Sequence, residues 1–312
     1  MVRVLFLGGL GRSGTTLLER LLGQLPGVTP LGEVVHLWQR DLRDDERCGC
    51  GDRFSACGFW QKDGVEAFGG WDAVDPQRVL DLAAQVERTR RIPRLAFGRR
   101  PPGVEEYAAH YAKIYNGAAT VTGASVVVDS SKHSALAYCL RHAEIDLRVI
   151  HVVRDSRGVA YSWTKKVTRP ETEKNEQMTQ YSPSKSALLW NAHNASFGML
   201  GRLGVPVLRV RYEELLADPT ATLRTMIRFA GLPETGDELS FLRATDEGYV
   251  ADLGPSHSAA GNPMRFTIGT VPLRRDEAWR RSLPKGQRRL VGALTAPLLS
   301  AYGYPLLGGS IS

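Results

Sequence analysis

The stretch Val4-Leu5-Phe6-Leu7-Gly8-Gly9-Leu10-Gly11-Arg12-Ser13-Gly14-Thr15-Thr16-Leu17-Leu18 decides the fold of this chain of 312 residues. An apolar run, a glycine-rich turn and apolar residues at helical spacing over Thr15–Leu25 read as buried strand, tight loop and amphipathic helix. The run has no basic segment ahead of it and falls far short of the roughly 18 apolar residues of a membrane span, so it reads as neither signal peptide nor anchor. Outward from Val2–Leu7, the runs Val126–Val128, Leu147–Val153 and Val205–Val210 have the same buried-strand character. Helical periodicity follows at His133–His142, Arg157–Lys166, Ser184–Leu203 and Pro219–Ala230. Strands alternating with helices predict an α/β fold, a doubly wound parallel sheet, built as a single domain over 1–312. Residues 76–120 read as a helical insertion between the first two strands. Residues 168–183 are polar without apolar period, a loop and candidate lid. At 43% hydrophobic and 23% charged residues the composition is globular, which excludes disorder, collagen and coiled coil for most of the chain.

The loop itself approaches the P-loop pattern G-x-x-x-x-G-K-[ST]. Gly9 and Gly14 match, and Thr16 holds the hydroxyl position, but Thr15 stands where the lysine belongs. Glycines let the backbone bend so that several N–H groups face one anion, and the helix dipole adds positive potential. The lysine that reaches a transferring phosphoryl group is missing, and Arg12 inside the loop offers a cation instead. A glycine turn with no ligand is the bland alternative, and the strand–loop–helix context weighs against it. The net charge of +7, with arginine dominating, suits bidentate recognition of phosphate or sulfate.

Gly11-Arg12-Ser13-Gly14-Thr15-Thr16-Leu17-Leu18 resembles the 5′-phosphosulfate loop of sulfotransferases that use 3′-phosphoadenosine 5′-phosphosulfate (PAPS). The Arg12 form is the one of tyrosylprotein sulfotransferases and many bacterial relatives, and Gly11 departs from a common proline. His151-Val152-Val153-Arg154-Asp155-Ser156-Arg157-Gly158-Val159-Ala160-Tyr161-Ser162 resembles the 3′-phosphate segment, which implies that Arg154 and Ser162 bind that phosphate. A guanidinium leaving a strand end is a forked donor for a dianion, and a hydroxyl two turns into the next helix can reach the same oxygens. Arg209-Val210-Arg211-Tyr212-Glu213-Glu214-Leu215 resembles the family's R-Y-E-D-L junction, with Tyr212 near the adenine or simply a half-buried strand-end aromatic. Leu273-Arg274-Arg275-Asp276-Glu277-Ala278-Trp279 resembles the C-terminal basic segment, so Arg265, Arg274 or Arg275 is expected to reach the 3′-phosphate. The resemblance runs from Leu5 to Trp279 and thins between Gly49 and Gly123.

It implies transfer of a sulfuryl group from PAPS, leaving 3′,5′-ADP, to a hydroxyl of a small-molecule or carbohydrate acceptor, in line and with no metal required. Leu31-Gly32-Glu33 follows the phosphate helix through the Pro26-Gly27 turn, as a Gly-Glu pair does in the tyrosylprotein branch, and Glu33 is the candidate base. Cytosolic members use a histidine, which makes His36 and His133 rivals. Val128-Asp129-Ser130-Ser131-Lys132 ends a strand where Lys132 could neutralise sulfuryl oxygens, where Ser130 or Ser131 could bond phosphate, and where Asp129 or Ser131 could instead cap the next helix.

Cys48, Cys50 and Cys57 have no standard zinc spacing and no obvious fourth ligand. Free thiols, then a disulfide such as Cys48–Cys57, then zinc is the order of readings, with Cys139 in the core. Arg88, Arg90, Arg91, Arg94, Arg99 and Arg100 read as a solvated helix face and, second, as a dock for an acidic acceptor or carrier domain. Two other classes compete with a cytoplasmic sulfotransferase. A P-loop kinase or NTPase is opposed by Thr15 and the lack of a Walker-B carboxylate. A basic nucleic-acid-binding protein is opposed by the absence of a reader motif.

Overall fold

The computed structural model describes residues 1–98, 100–168 and 177–306. The central part of the expected lid, residues 169–176, lies outside the described residues, as does Arg99. Along the chain run β1 (Arg3–Gly8), α1 (Thr15–Leu22), β2 (Val28–Gly32), α2 (Gly58–Phe68), α3 (Pro76–Val86), α4 (Ile92–Phe97), α5 (Val104–Thr122) and β3 (Val126–Lys132). Then follow α6 (Ser134–Leu140), β4 (Asp146–Val153), α7 (Ser156–Thr164), α8 (Pro183–Leu200), β5 (Val207–Arg211), α9 (Tyr212–Ala217) and α10 (Pro219–Ala230). The last elements are β6 (Leu242–Thr245), β7 (Gly248–Leu253), β8 (Gly269–Leu273), α11 (Trp279–Ser282) and α12 (Lys285–Ala301).

Five strands form a parallel sheet in the order β2-β3-β1-β4-β5. Successive side chains of a strand point to opposite faces, so Leu5 and Leu7 join α1 and α10 in one core while Val4 and Phe6 join α5, α6 and α8 in the other. The expected α/β architecture with a parallel sheet is what forms. The sequence reading missed β2, because Val28-Thr29-Pro30-Leu31-Gly32 carries a proline. Pro30 is tolerated since β2 is an edge strand and owes no donor on its outer side. The antiparallel sheet β6-β7-β8 was also missed, and α2 joins α3–α5 between β2 and β3.

Strand order sets where a ligand can enter. The chain leaves β1 toward β2 on one side of the sheet and leaves β4 toward β5 on the other. Connections that diverge in this way leave a crevice at the carboxyl ends of β1 and β4. Gly8 of β1 is in register with Lys132 of β3 and His151 of β4, so the glycine loop emerges between these two strand ends.

Candidate active site

The loop after β1 turns through left-handed backbone at Gly9, Arg12 and Gly14, with φ of 142°, 73° and 92°. Gly14 is required twice over: its φ suits glycine, and a Cβ there would run into the Tyr212 ring. Ser13 is buried, and its Oγ has no hydrogen-bond partner among the described residues. A buried hydroxyl left open at the N-terminus of α1 fits an anion that would satisfy it, and the cradle fits the phosphosulfate end of PAPS.

Arg154, on the first turn beyond β4, closes one side of this loop. Its Nη1 donates to the Arg12 carbonyl at 3.1 Å and its guanidinium lies 4.7 Å over the Tyr212 ring. Tyr212 therefore sits between Arg154 and Gly14. Gly11 is fixed by Trp163 of α7, whose Nε1 donates to the Gly11 carbonyl at 3.0 Å. Arg12 lies 5.3 Å from the same indole ring and donates to Met178 Sδ at 3.4 Å, so α7 and the described later part of the polar loop both reach Arg12. Burial lowers the Arg12 pKa, and the charge of Glu33 opposes that shift.

Glu33 follows the last residue of β2, and its Oε1 accepts from Lys132 Nζ. His36 Nε2 stands 3.7 Å from the other oxygen. Burial alone would raise the Glu33 pKa, but Lys132, His36 and His133 outweigh it and hold the carboxyl below its ordinary value. The upward tuning that burial gives a carboxylate is thus reversed by the lysine beside it. His36 is pushed down to about 4 by burial. His133 lies edge-on to His36 at 5.6 Å, and its Nδ1–H donates to Glu87 Oε1 at 2.6 Å. Burial would lower the His133 pKa, but the bond to Glu87 outweighs it and raises it.

Among the described residues, four non-glycine residues have positive φ: Arg12, Asp45, Lys132 and Ala260. Two are the cations facing Glu33, and Ala260 adjoins the Ala259 carbonyl that accepts the Glu33 N–H at 3.0 Å. Each such residue stores strain on the order of 1 kcal/mol, and strain gathers where a side chain must be aimed.

Other expected residues are placed differently. Ser130 donates its hydroxyl to Glu19 at 2.6 Å, which commits it to structure, and Ser131 Oγ accepts the Val35 N–H at 3.0 Å. Neither Asp129 nor Ser131 caps α6, whose N-cap position is His133. Arg265 is buried and donates to the Ser258 carbonyl at 2.8 Å, Arg274 pairs with Glu247 at the surface, and Arg275 is exposed. What the C-terminal segment brings to Arg154 is Asp276, whose carbonyl accepts at 3.1 Å and whose Oδ2 is 3.6 Å away. Lys165, which the sequence did not single out, holds Asp276 Oδ2 at 3.2 Å. Ser162 lies in α7, half-buried. Among the described residues no helix is long and apolar enough to cross a membrane.

Fold and loop define a P-loop-like α/β protein. Residues 5–236 match the sulfotransferase family, and the chain belongs to it. Carbohydrate sulfotransferase 7 of Mus musculus is 33% identical over 103 residues, which is 32% of this chain and 19% of that protein, so the match spans about a fifth of the relative's length. The sulfotransferase domain from the curacin biosynthetic pathway superposes with a TM-score of 0.50 over 98% of this chain and 99% of that one at 13% identity, a likeness of fold. The sulfotransferase domain of the Synechococcus PCC 7002 olefin synthase is 20% identical over 98% and 96% of the two chains, with a TM-score of 0.47.

Proposed function

We propose that residues 1–312 form one sulfotransferase domain that moves the sulfuryl group of PAPS to a small-molecule or carbohydrate hydroxyl. The observation that carries this reading is the closed set Arg12, Arg154, Tyr212 and Gly14 at the β1–β4 crevice, with the Glu33–Lys132 pair close enough to shift Arg12. PAPS supplies an activated sulfuryl group on a phosphate leaving group. The Gly11, Ser13, Gly14, Thr15 and Thr16 backbone and hydroxyls hold the phosphosulfate, with Arg12 countering charge on the departing oxygen. Arg154 and Ser162 hold the 3′-phosphate, and Tyr212 packs against the base. A phosphate beside Arg154 displaces Asp276, which frees Lys165 as a further cation. Arg274, paired with Glu247, and Arg275 are exposed and follow as further cations for the same phosphate.

Glu33 takes the acceptor proton. Its carboxylate is held ionised by Lys132, so it is ready as a base across the neutral range. When Lys132 turns to the sulfuryl oxygens, Glu33 loses the partner that lowers its pKa, and its proton affinity rises at the point where a proton must be taken. No metal is asked to assist, because Arg12, Arg154, Lys132, Lys165 and the loop amides carry the charge.

The partial match to a carbohydrate sulfotransferase supports a sugar hydroxyl as acceptor, and the arginines before α4 leave an acidic carrier domain open as the presenting partner. Four cysteines without a disulfide fit a reducing compartment such as the cytoplasm. A thermal shift with 3′,5′-ADP, ATP–Mg and an oligonucleotide tests the reading. Strong stabilisation by 3′,5′-ADP alone is expected; a preference for ATP–Mg would make the protein a kinase or NTPase, and one for the oligonucleotide a nucleic-acid binder.

A further inference from the structure

The segment between β2 and α2 carries three cysteines that the proposed chemistry does not use. Cys48 and Cys57 are fully buried and Cys50 partly so. Their sulfurs converge: Cys57 Sγ is 3.6 Å from Cys48 Sγ and 3.7 Å from Cys50 Sγ. A disulfide needs sulfurs about 2.05 Å apart, so these thiols meet without pairing. A fourth donor arrives from about 200 residues away, between β7 and β8. His257 Nδ1 lies 3.3 Å from Cys57 Sγ and 3.9 Å from Cys48 Sγ, and all four donor atoms lie within 4.8 Å of one another.

These separations are those of a tetrahedron around one ion. Zinc–sulfur bonds of about 2.3 Å put two thiolates about 3.8 Å apart, and a shorter zinc–nitrogen bond of about 2.0 Å brings the imidazole slightly nearer. Three soft thiolates with one imidazole select zinc over oxygen-loving cations. We propose that Cys48, Cys50, Cys57 and His257 form a structural zinc site.

The surroundings hold the ligands in place. The His257 ring stacks on Phe59 at 5.1 Å and 18°, and its carbonyl accepts from Trp60 Nε1 at 2.9 Å. Cys57 is the N-cap residue of α2, where the partial positive charge of the helix offsets the net negative charge of three thiolates on one Zn²⁺. With four protein ligands the site is closed, as structural sites are, and offers no open position for chemistry.

What the ion fastens is the strap of residues 255–261. Next to His257, the Ser258 carbonyl accepts the Gly49 N–H at 3.0 Å and the Ser258 hydroxyl donates to Glu19 at 2.6 Å. Ala259 then donates to the Leu31 carbonyl at 2.8 Å and accepts from the Glu33 N–H at 3.0 Å. A Cβ on Gly32 would collide with Ala259, so only glycine lets the strap close on β2. The zinc is thus two residues from the contact that sets the backbone of Glu33, and its ligands act as positioning residues; this last link rests on Glu33 as the base.

The test is elemental analysis of the purified full-length chain after dialysis against EDTA, with cobalt exchanged in by unfolding and refolding. About one zinc per chain and the visible bands of tetrahedral cobalt thiolate are expected. His257→Ala should lower the zinc content at least severalfold and the melting temperature with it, while Cys139→Ser, a buried cysteine outside the cluster, keeps full zinc. Chain that is folded, metal-free and silent with cobalt, or that yields a Cys48–Cys57 disulfide by mass spectrometry, overturns the site. Zinc content does not depend on nucleotide, so failure to bind 3′,5′-ADP would sink the proposed function and leave the metal count untouched. Zinc-depleted protein that still folds should keep its affinity for 3′,5′-ADP and lose kcat severalfold; unchanged kcat overturns the positioning role.

Discussion

At the β1–β4 crevice each group sits within a few residues of a strand end: Arg12 and Gly14 after β1, Arg154 after β4, Tyr212 after β5. On the other side of β1, Glu33 is oriented by Lys132 from β3 and by the strap that ends near Gly261, with the cysteine loop and His257 behind it. The first half is made by strand–loop–helix units, whose geometry is local. The second half is made by long-range contacts, and there the backbone is strained at Lys132 and Ala260. The two halves meet through charge, since the Glu33 carboxylate acts on Arg12 against its burial. A local loop suits the part of the substrate that never changes, and a tertiary assembly suits the part that must fit a particular acceptor.

The largest effect is expected on the assembled side. Glu33→Gln keeps the shape and removes the base, so kcat should fall by about 10²–10⁴ with 3′,5′-ADP binding retained. The loss should shrink for acidic phenols, which need less help. The pH profile is a companion measurement. Because Lys132 holds Glu33 below its ordinary value in the free protein, the acid limb of kcat/KM, which reports the free enzyme, should lie below the ordinary carboxylate range, with that of kcat higher once Lys132 has turned to the sulfuryl group. A limb in the ordinary histidine range, with His133→Ala inactive and Glu33→Gln active, would hand the base role to His133.

On the loop side, Arg12→Ala should lower kcat by about 10²–10³, the scale of a preorganised electrostatic donor. A change confined to KM for PAPS would show that Arg12 holds the ground state only, and would weaken the link between the two halves. Arg154→Ala comes next: binding of 3′,5′-ADP should weaken by about 1.5–3 kcal/mol, with 5′-AMP nearly spared. Equal losses for both nucleotides would mean that Arg154 acts through the Arg12 carbonyl, by shaping the loop.

The smallest effect concerns Asp276, which holds both Arg154 and Lys165. Asp276→Asn keeps the cap on the Ala278 N–H and removes the competing charge, so titration calorimetry should show 3′,5′-ADP binding about three- to tenfold tighter, the scale of a partly exposed ion pair. Weaker binding would show instead that Asp276 orders the two cations for the phosphate.

Which of these groups could be read from the chain follows from the same division. The loop, Arg154 and Tyr212 were legible because an apolar run, a turn and a helical period fix a local geometry whatever surrounds them. Glu33 was legible as a candidate from the Gly32-Glu33 pair, but its partner was not, because Lys132 lies 99 positions away and only the pairing of β2 with β3 brings it close. β2 itself was hidden, since a proline reads as a break until one knows that the strand lies at a sheet edge. Arg265 carried the right charge and went to the core, where the Ser258 carbonyl claims it. His257 was invisible as a partner of Cys48, Cys50 and Cys57, because no local spacing encodes a ligand 200 residues on. Sequence alone determined the parallel α/β fold and the anion loop, through periodicity and turn chemistry that act over a few residues. The tertiary structure decided the surroundings of Glu33, the pairing of Asp276 with Arg154 and Lys165 and the fourth member of the cysteine cluster, because desolvation, Coulomb interaction and side-chain geometry depend on distance in space and not along the chain.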